Sequence, residues 1–128
     1  MTSGVLPETV QQFLLKNIGS VPELELLLLL HADRGLELGV AEAAARVYVD
    51  EGRARQILEA LERRHLLKGN GDPRRWRYLP PDAPTEESVY EVAQAYRTHV
   101  VLMANLIHSK ASGSVQEFAR AFDLKKER

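Results

Sequence analysis

Basic side chains crowd into one stretch of this 128-residue chain. Residues 46–78 hold Arg46, Arg53, Arg55, Arg63, Arg64, Lys68, Arg74, Arg75 and Arg77, nine cations against the five carboxylates of Asp50, Glu51, Glu59, Glu62 and Asp72. Residues 1–45 lean the other way, with Lys16 and Arg34 facing six acidic side chains, and the formal net charge of the whole chain is −1. Guanidinium groups fork onto phosphate and carboxylate oxygens. The middle third is therefore where a surface for a polyanion is expected.

Other chemistry has few carriers. The absence of cysteine excludes disulfides, thiolate metal sites and thiol nucleophiles. His31, His65, His99 and His108 have neither cysteine companions nor i,i+4 pairing, so no metal site is expected. No His-Glu-x-x-His, Gly-rich phosphate loop or Gly-x-Ser-x-Gly elbow occurs. Gly69-Asn-Gly71 reads as a turn, and Ser112-Gly-Ser114 as a helix break followed by a cap. Neither an enzyme nor a cofactor is expected.

The elements that must carry the basic residues follow from periodicity and caps. The apolar series Val10, Phe13, Leu14 and Ile18 predicts a first helix opening near Pro7 and closing at Gly19. Ser20-Val-Pro-Glu23 is a capping box that opens a leucine-rich helix to about Asp33, buried on most sides. A small alanine-rich helix spans about 41–47. Asp50 then caps a helix to about Arg64, with Ala54, Ile57, Leu58 and Leu61 on its inner stripe. Leu66 and Leu67 start a strand, Gly69-Asn-Gly-Asp-Pro73 is a dense turn signal, and Arg74–Leu79 alternates with period two, so 68–79 reads as a β-hairpin. Trp76 and Tyr78 share the face expected against the domain.

Pro80, Pro81 and Pro84 mark a stiff linker, after which Thr85 is expected to cap one long helix to about Lys110. Its stripe runs through Val89, Val92, Ala93, Tyr96, Val100, Met103 and Ile107. A second capping box at Ser114–Glu117 opens a last helix with Val115, Phe118, Ala119 and Phe122. The longest leucine run has five residues, far short of the roughly 20 a spanning helix needs, and the N-terminus lacks the features of a signal peptide. A soluble cytoplasmic protein with no membrane association is expected.

Over about residues 21–79 this order resembles a winged helix-turn-helix, and Leu58-Glu-Ala-Leu-Glu-Arg-Arg-His-Leu-Leu67 is similar to that family's recognition-helix end and first wing strand. His65 stands where the family most often has glycine, which calls for a left-handed backbone there. Ile18–Leu30 and Ser114–Lys126 also look like small bacterial winged-helix proteins of mostly unassigned function. The resemblance implies a mainly α fold with a β-hairpin wing, divided into an N-terminal helix (1–19), a winged helix-turn-helix domain (20–79) and C-terminal helices (85–128).

It further implies a DNA-binding transcriptional regulator acting on double-stranded DNA. Its recognition helix would enter the major groove with Arg53, Arg55 and Gln56, which can bracket guanine or adenine edges. Arg74, Arg75 and Arg77 on the wing would meet phosphates or a narrow minor groove. The long C-terminal stripe suggests a homodimer, built through the N- and C-terminal helices. A bland account stands beside this one: Arg55, Glu59 and Arg63 are spaced as i,i+4 ion pairs, and an edge hairpin needs charge for solubility. Asp50 and Glu51 at the start of the recognition helix would face phosphate. They favour an alternative, a winged helix that regulates a protein partner without binding DNA, with the C-terminal helices as docking surface. A third reading is a ligand-sensing dimer with a small-molecule pocket between the long helices and the core.

Overall fold

Ser20 begins the central helix of the molecule by accepting the Glu23 amide hydrogen at 3.3 Å, and Pro22 fits the first turn, where no intrahelical donor is required. The computed structural model describes residues 5–111. Within them the chain is mainly helical, with six helices and one two-stranded antiparallel hairpin. The order is α1 (Glu8–Asn17), α2 (Val21–Ala32), α3 (Val40–Val47), α4 (Glu51–Arg63), β1 (Leu67–Asn70), β2 (Arg75–Tyr78), α5 (Ala83–Thr98) and α6 (Val100–Ala111). The expected final helix with Phe118 and Phe122 lies outside the described residues.

The leucine run of α2 is the hub of the core. Leu24, Leu26, Leu27 and Leu30 have no exposed surface, and they pack within one continuous cluster. Every other helix contributes to that cluster: Val10 and Leu14 from α1, Ala43 from α3, Ile57, Leu58 and Leu61 from α4, Val89 and Val92 from α5, Met103 and Ile107 from α6. Cutting any of these central leucines to alanine should cost about 2–5 kcal/mol through lost transfer energy and an unfilled cavity.

Three expectations are corrected. The capping box is only half formed, because Glu23 reaches back to the Gly19 amide at 2.8 Å rather than to Ser20. The cap of α5 is Asp82, whose carboxylate accepts from the Thr85 amide at 2.8 Å; Pro84 therefore lies inside the first turn. The long C-terminal helix is two helices, broken at His99 (φ −128°, ψ 38°). The break lets α6 fold against α1, where Lys110 donates to the Leu14 carbonyl at 3.2 Å, the Ile18 carbonyl at 2.9 Å and the Leu15 carbonyl. The stripe that suggested a second copy is thus largely covered by the chain's own α1 and α2.

The hairpin pairs Leu67 with Tyr78, Lys68 with Arg77, Gly69 with Trp76 and Asn70 with Arg75. Leu38, on the connection from α2 to α3, adds a further rung by exchanging both backbone hydrogen bonds with Trp76 at 2.9 and 3.0 Å. His65 has φ 63° at the joint between α4 and β1, the left-handed backbone expected of it. Among the described residues no helix is long and apolar enough to cross a membrane.

Candidate nucleic-acid interface

Helix α4 buries Ala54, Ile57, Leu58, Ala60 and Leu61 and leaves Glu51, Gly52, Arg55, Gln56 and Arg63 exposed. Asp50 fixes its start, accepting the Arg53 amide at 2.7 Å. The charge of Asp50 is thereby absorbed by the helix end, whereas Glu51 is exposed one residue on. Tyr48, at the end of α3, adopts φ 60° and leaves 92% of its surface in solvent. A left-handed aromatic standing free in the turn between two helices is unusual, and no spacing or cap in the sequence marks it.

The six residues singled out from sequence divide sharply. Arg53 does not point outward with Arg55. Its Nη2 donates to the Ser20 hydroxyl at 3.1 Å and lies 4.0 Å from the Glu23 carboxylate, because position 53 falls on the side of α4 that meets the start of α2. Arg64 joins it, donating to Glu23 Oε1 at 2.9 Å and to the Asn17 carbonyl at 2.6 Å. Glu23 is 6% exposed and binds the two helices together, a role that its place in a capping box gave no hint of.

Arg74 and Arg75 are also answered from within. Arg74 donates to Glu62 Oε2 at 2.8 Å and lies 5.7 Å over the Trp76 ring. Glu62 receives the Trp76 indole N–H at 2.8 Å on its other oxygen and the Gly69 amide at 3.3 Å. Burial opposes ionisation of Glu62, but those three donors outweigh it and hold the carboxyl below its ordinary range. Gly69 is required by this arrangement: a Cβ there would come within 2.7 Å of both the Arg74 Nε and the Trp76 Nε1. Arg75 reaches from β2 to α3, with Nη1 2.9 Å from Glu42 Oε1 and Nη2 donating to the Glu37 carbonyl at 2.8 Å. The Gly39 amide, chiefly, and Arg75 hold Glu42 below its usual pKa despite some opposing desolvation.

Arg55 and Gln56 remain exposed, and Arg77, half-buried, lies on the hairpin face turned away from the core. Arg55 has one loose partner, Glu59 at 3.9 Å, while Arg63 pairs with no carboxylate among the described residues. Arg77 stands directly across the hairpin from Lys68, on the face opposite to the fully buried Trp76. Neither Lys68 nor Arg77 has an ion-pair partner among the described residues. Like charges opposed on one sheet face repel. The period-two alternation that puts Trp76 inward also puts Lys68 outward, a signal already present in the sequence. Arg55, Arg74 and Arg75 come together around a cavity of about 310 Å³ between the start of α3 and the hairpin turn.

The chain matches no family model, no curated protein and no solved structure.

Proposed function

We propose that the chain is a winged helix-turn-helix protein, a cytoplasmic transcriptional regulator that binds double-stranded DNA. Helix α4 would enter the major groove, and the outward hairpin face would lie on the backbone or in the minor groove. The order α2, Leu38 rung, α3, α4, hairpin supports the architecture. The observation that carries the function is the Lys68–Arg77 pair. Two opposed cations without a carboxylate between them are a standing electrostatic cost, which a phosphate would relieve.

This reading assigns base contact to Arg55 and Gln56 and phosphate contact to Lys68 and Arg77. Arg53, Arg74 and Arg75 become framework residues that hold α4, the hairpin and α3 in register. Fluorescence anisotropy on a duplex from the gene's own upstream region and on a scrambled duplex, at two salt concentrations, tests it. Sequence-preferring binding that weakens with salt is the expected result; no binding to either duplex contradicts it.

A second reading, a winged helix that regulates a protein partner without DNA, is favoured by one observation. Glu51 is exposed at the start of α4, where a phosphate would otherwise approach. A two-fold DNA site would need a second copy of the chain. We assign that contact to the start of α6, where Val101 is 69% exposed beside the partly exposed Val100 and Leu102, rather than to the stripe already covered by α1 and α2. Val101→Glu should then lower the sedimentation coefficient from the dimer's to the monomer's; a monomer in the parent protein contradicts the assignment.

A further inference from the structure

Away from the basic face of α4, an open cavity of about 620 Å³ lies between α1, the end of α4 and the first turns of α5. Its size is within the usual span of small-molecule sites, roughly 300–1,000 Å³. The lining is chemically one-sided. Phe13 and Leu66, both buried, supply an apolar floor, and Pro84 adds to it from α5. Lys16 and Arg64 supply the charge on a polar wall that also includes the Thr85 and Ser88 hydroxyls, and no lining residue is acidic. In a chain with 18 acidic and 17 basic side chains, a lining with two basic side chains and no acidic one is biased, although Arg64 already shares the Glu23 carboxylate behind it.

The cations differ in readiness. Arg64 gives one nitrogen to Glu23 and Asn17, which fixes the guanidinium plane at the cavity edge. Lys16 is exposed and has no carboxylate partner among the described residues. An anion entering here would meet a preset guanidinium and an adaptable ammonium, the pairing that gives strong charge-assisted hydrogen bonds. The start of α5 adds little by its backbone, since Asp82 already takes the Thr85 amide and Pro84 has none. The polar contribution from α5 is therefore made by the side-chain hydroxyls of Thr85 and Ser88.

We propose that this cavity binds a small organic anion with a flat apolar body, an aryl carboxylate being the simplest such ligand. The carboxylate would pair with Lys16 and Arg64, and the ring would lie on Phe13 and Leu66. His65, the left-handed joint between α4 and the hairpin, lines the same cavity, so the ligand would sit against the hinge of the candidate DNA-binding face. Binding itself does not depend on the DNA reading.

Titration of the isotope-labelled full chain with phenylacetate, followed by amide NMR shifts, tests the proposal. Saturable shifts at Lys16, His65 and Ser88 are expected. The neutral isostere phenylacetamide and inorganic phosphate should each bind at least tenfold more weakly. Lys16→Gln, a surface change that leaves the fold intact, should weaken phenylacetate roughly five- to tenfold, and Ser88→Ala severalfold. Equal binding of phenylacetamide would show a merely apolar cleft, and equal binding of phosphate a bare anion site. Either result, or the absence of saturable shifts, overturns the proposal.

Discussion

The arginines of residues 46–78 form two populations, although their side chains are the same. Arg53, Arg64, Arg74 and Arg75 meet Glu23, Glu62 or Glu42, and in doing so they tie α4 to α2, the hairpin to α4, and the hairpin to α3. Arg46, Arg55, Arg63 and Arg77, with Lys68, stand on outward faces with loose partners or none among the described residues. A basic stretch is thus partly scaffold and partly free charge. The second part can contribute counterion release to a polyanion without first giving up a carboxylate partner at close range.

The largest expected effect breaks the inward set at its centre. Trp76→Ala removes the fully buried indole and its hydrogen bond to Glu62, and should cost about 3–5 kcal/mol in urea unfolding. Glu23→Ala removes the acceptor shared by Arg64 and the Gly19 amide. Because Arg64 is 35% exposed, solvent screening reduces the expected loss to about 1–2 kcal/mol, read by the same denaturation.

A smaller effect depends on pH. His31 packs edge-on against Tyr78 at 5.1 Å, with Nε2 buried, without a hydrogen bond and 3.9 Å from Glu86. Burial lowers its pKa more than the nearby Glu86 raises it, and Arg34 adds to the lowering. The unfolded chain therefore takes up this proton first as pH falls. The His31 contribution to stability is complete above the ordinary imidazole range and declines as pH drops through it toward the lowered folded value. His31→Phe, which keeps the ring contact, should flatten that acid limb in thermal melts across pH 7 to 5; an unchanged limb would assign the titration to another group.

The smallest effect on stability belongs to the outward set. Arg55→Ala should leave unfolding unchanged within about 0.5 kcal/mol and reduce discrimination between native and scrambled duplexes by about 1–3 kcal/mol in competition anisotropy.

Much of this fold was legible in residue order. Apolar spacing located α1 to α4 within a residue or two, Asp50 acts as the expected cap, and alternation put Trp76 and Tyr78 inward. The break at His99 was not legible, because Tyr96, Val100 and Met103 continue an unbroken helical period across it. Packing of α6 onto α1, closed by Lys110 on three carbonyls, decides that bend. The division of the arginines was hidden for a related reason. It depends on contacts such as Arg64 to Glu23 and Arg75 to Glu42, between residues more than 30 positions apart, for which no local spacing is a signal.

The salt dependence of duplex binding in two variants separates the outward basic residues from the paired ones. If the outward residues carry the interface, Arg77→Ala should lower the slope of log affinity against log salt by about one, while Arg75→Gln should leave that slope unchanged. Equal losses of slope in both variants, or a parent slope near zero, would contradict the division of the basic segment into paired and outward residues.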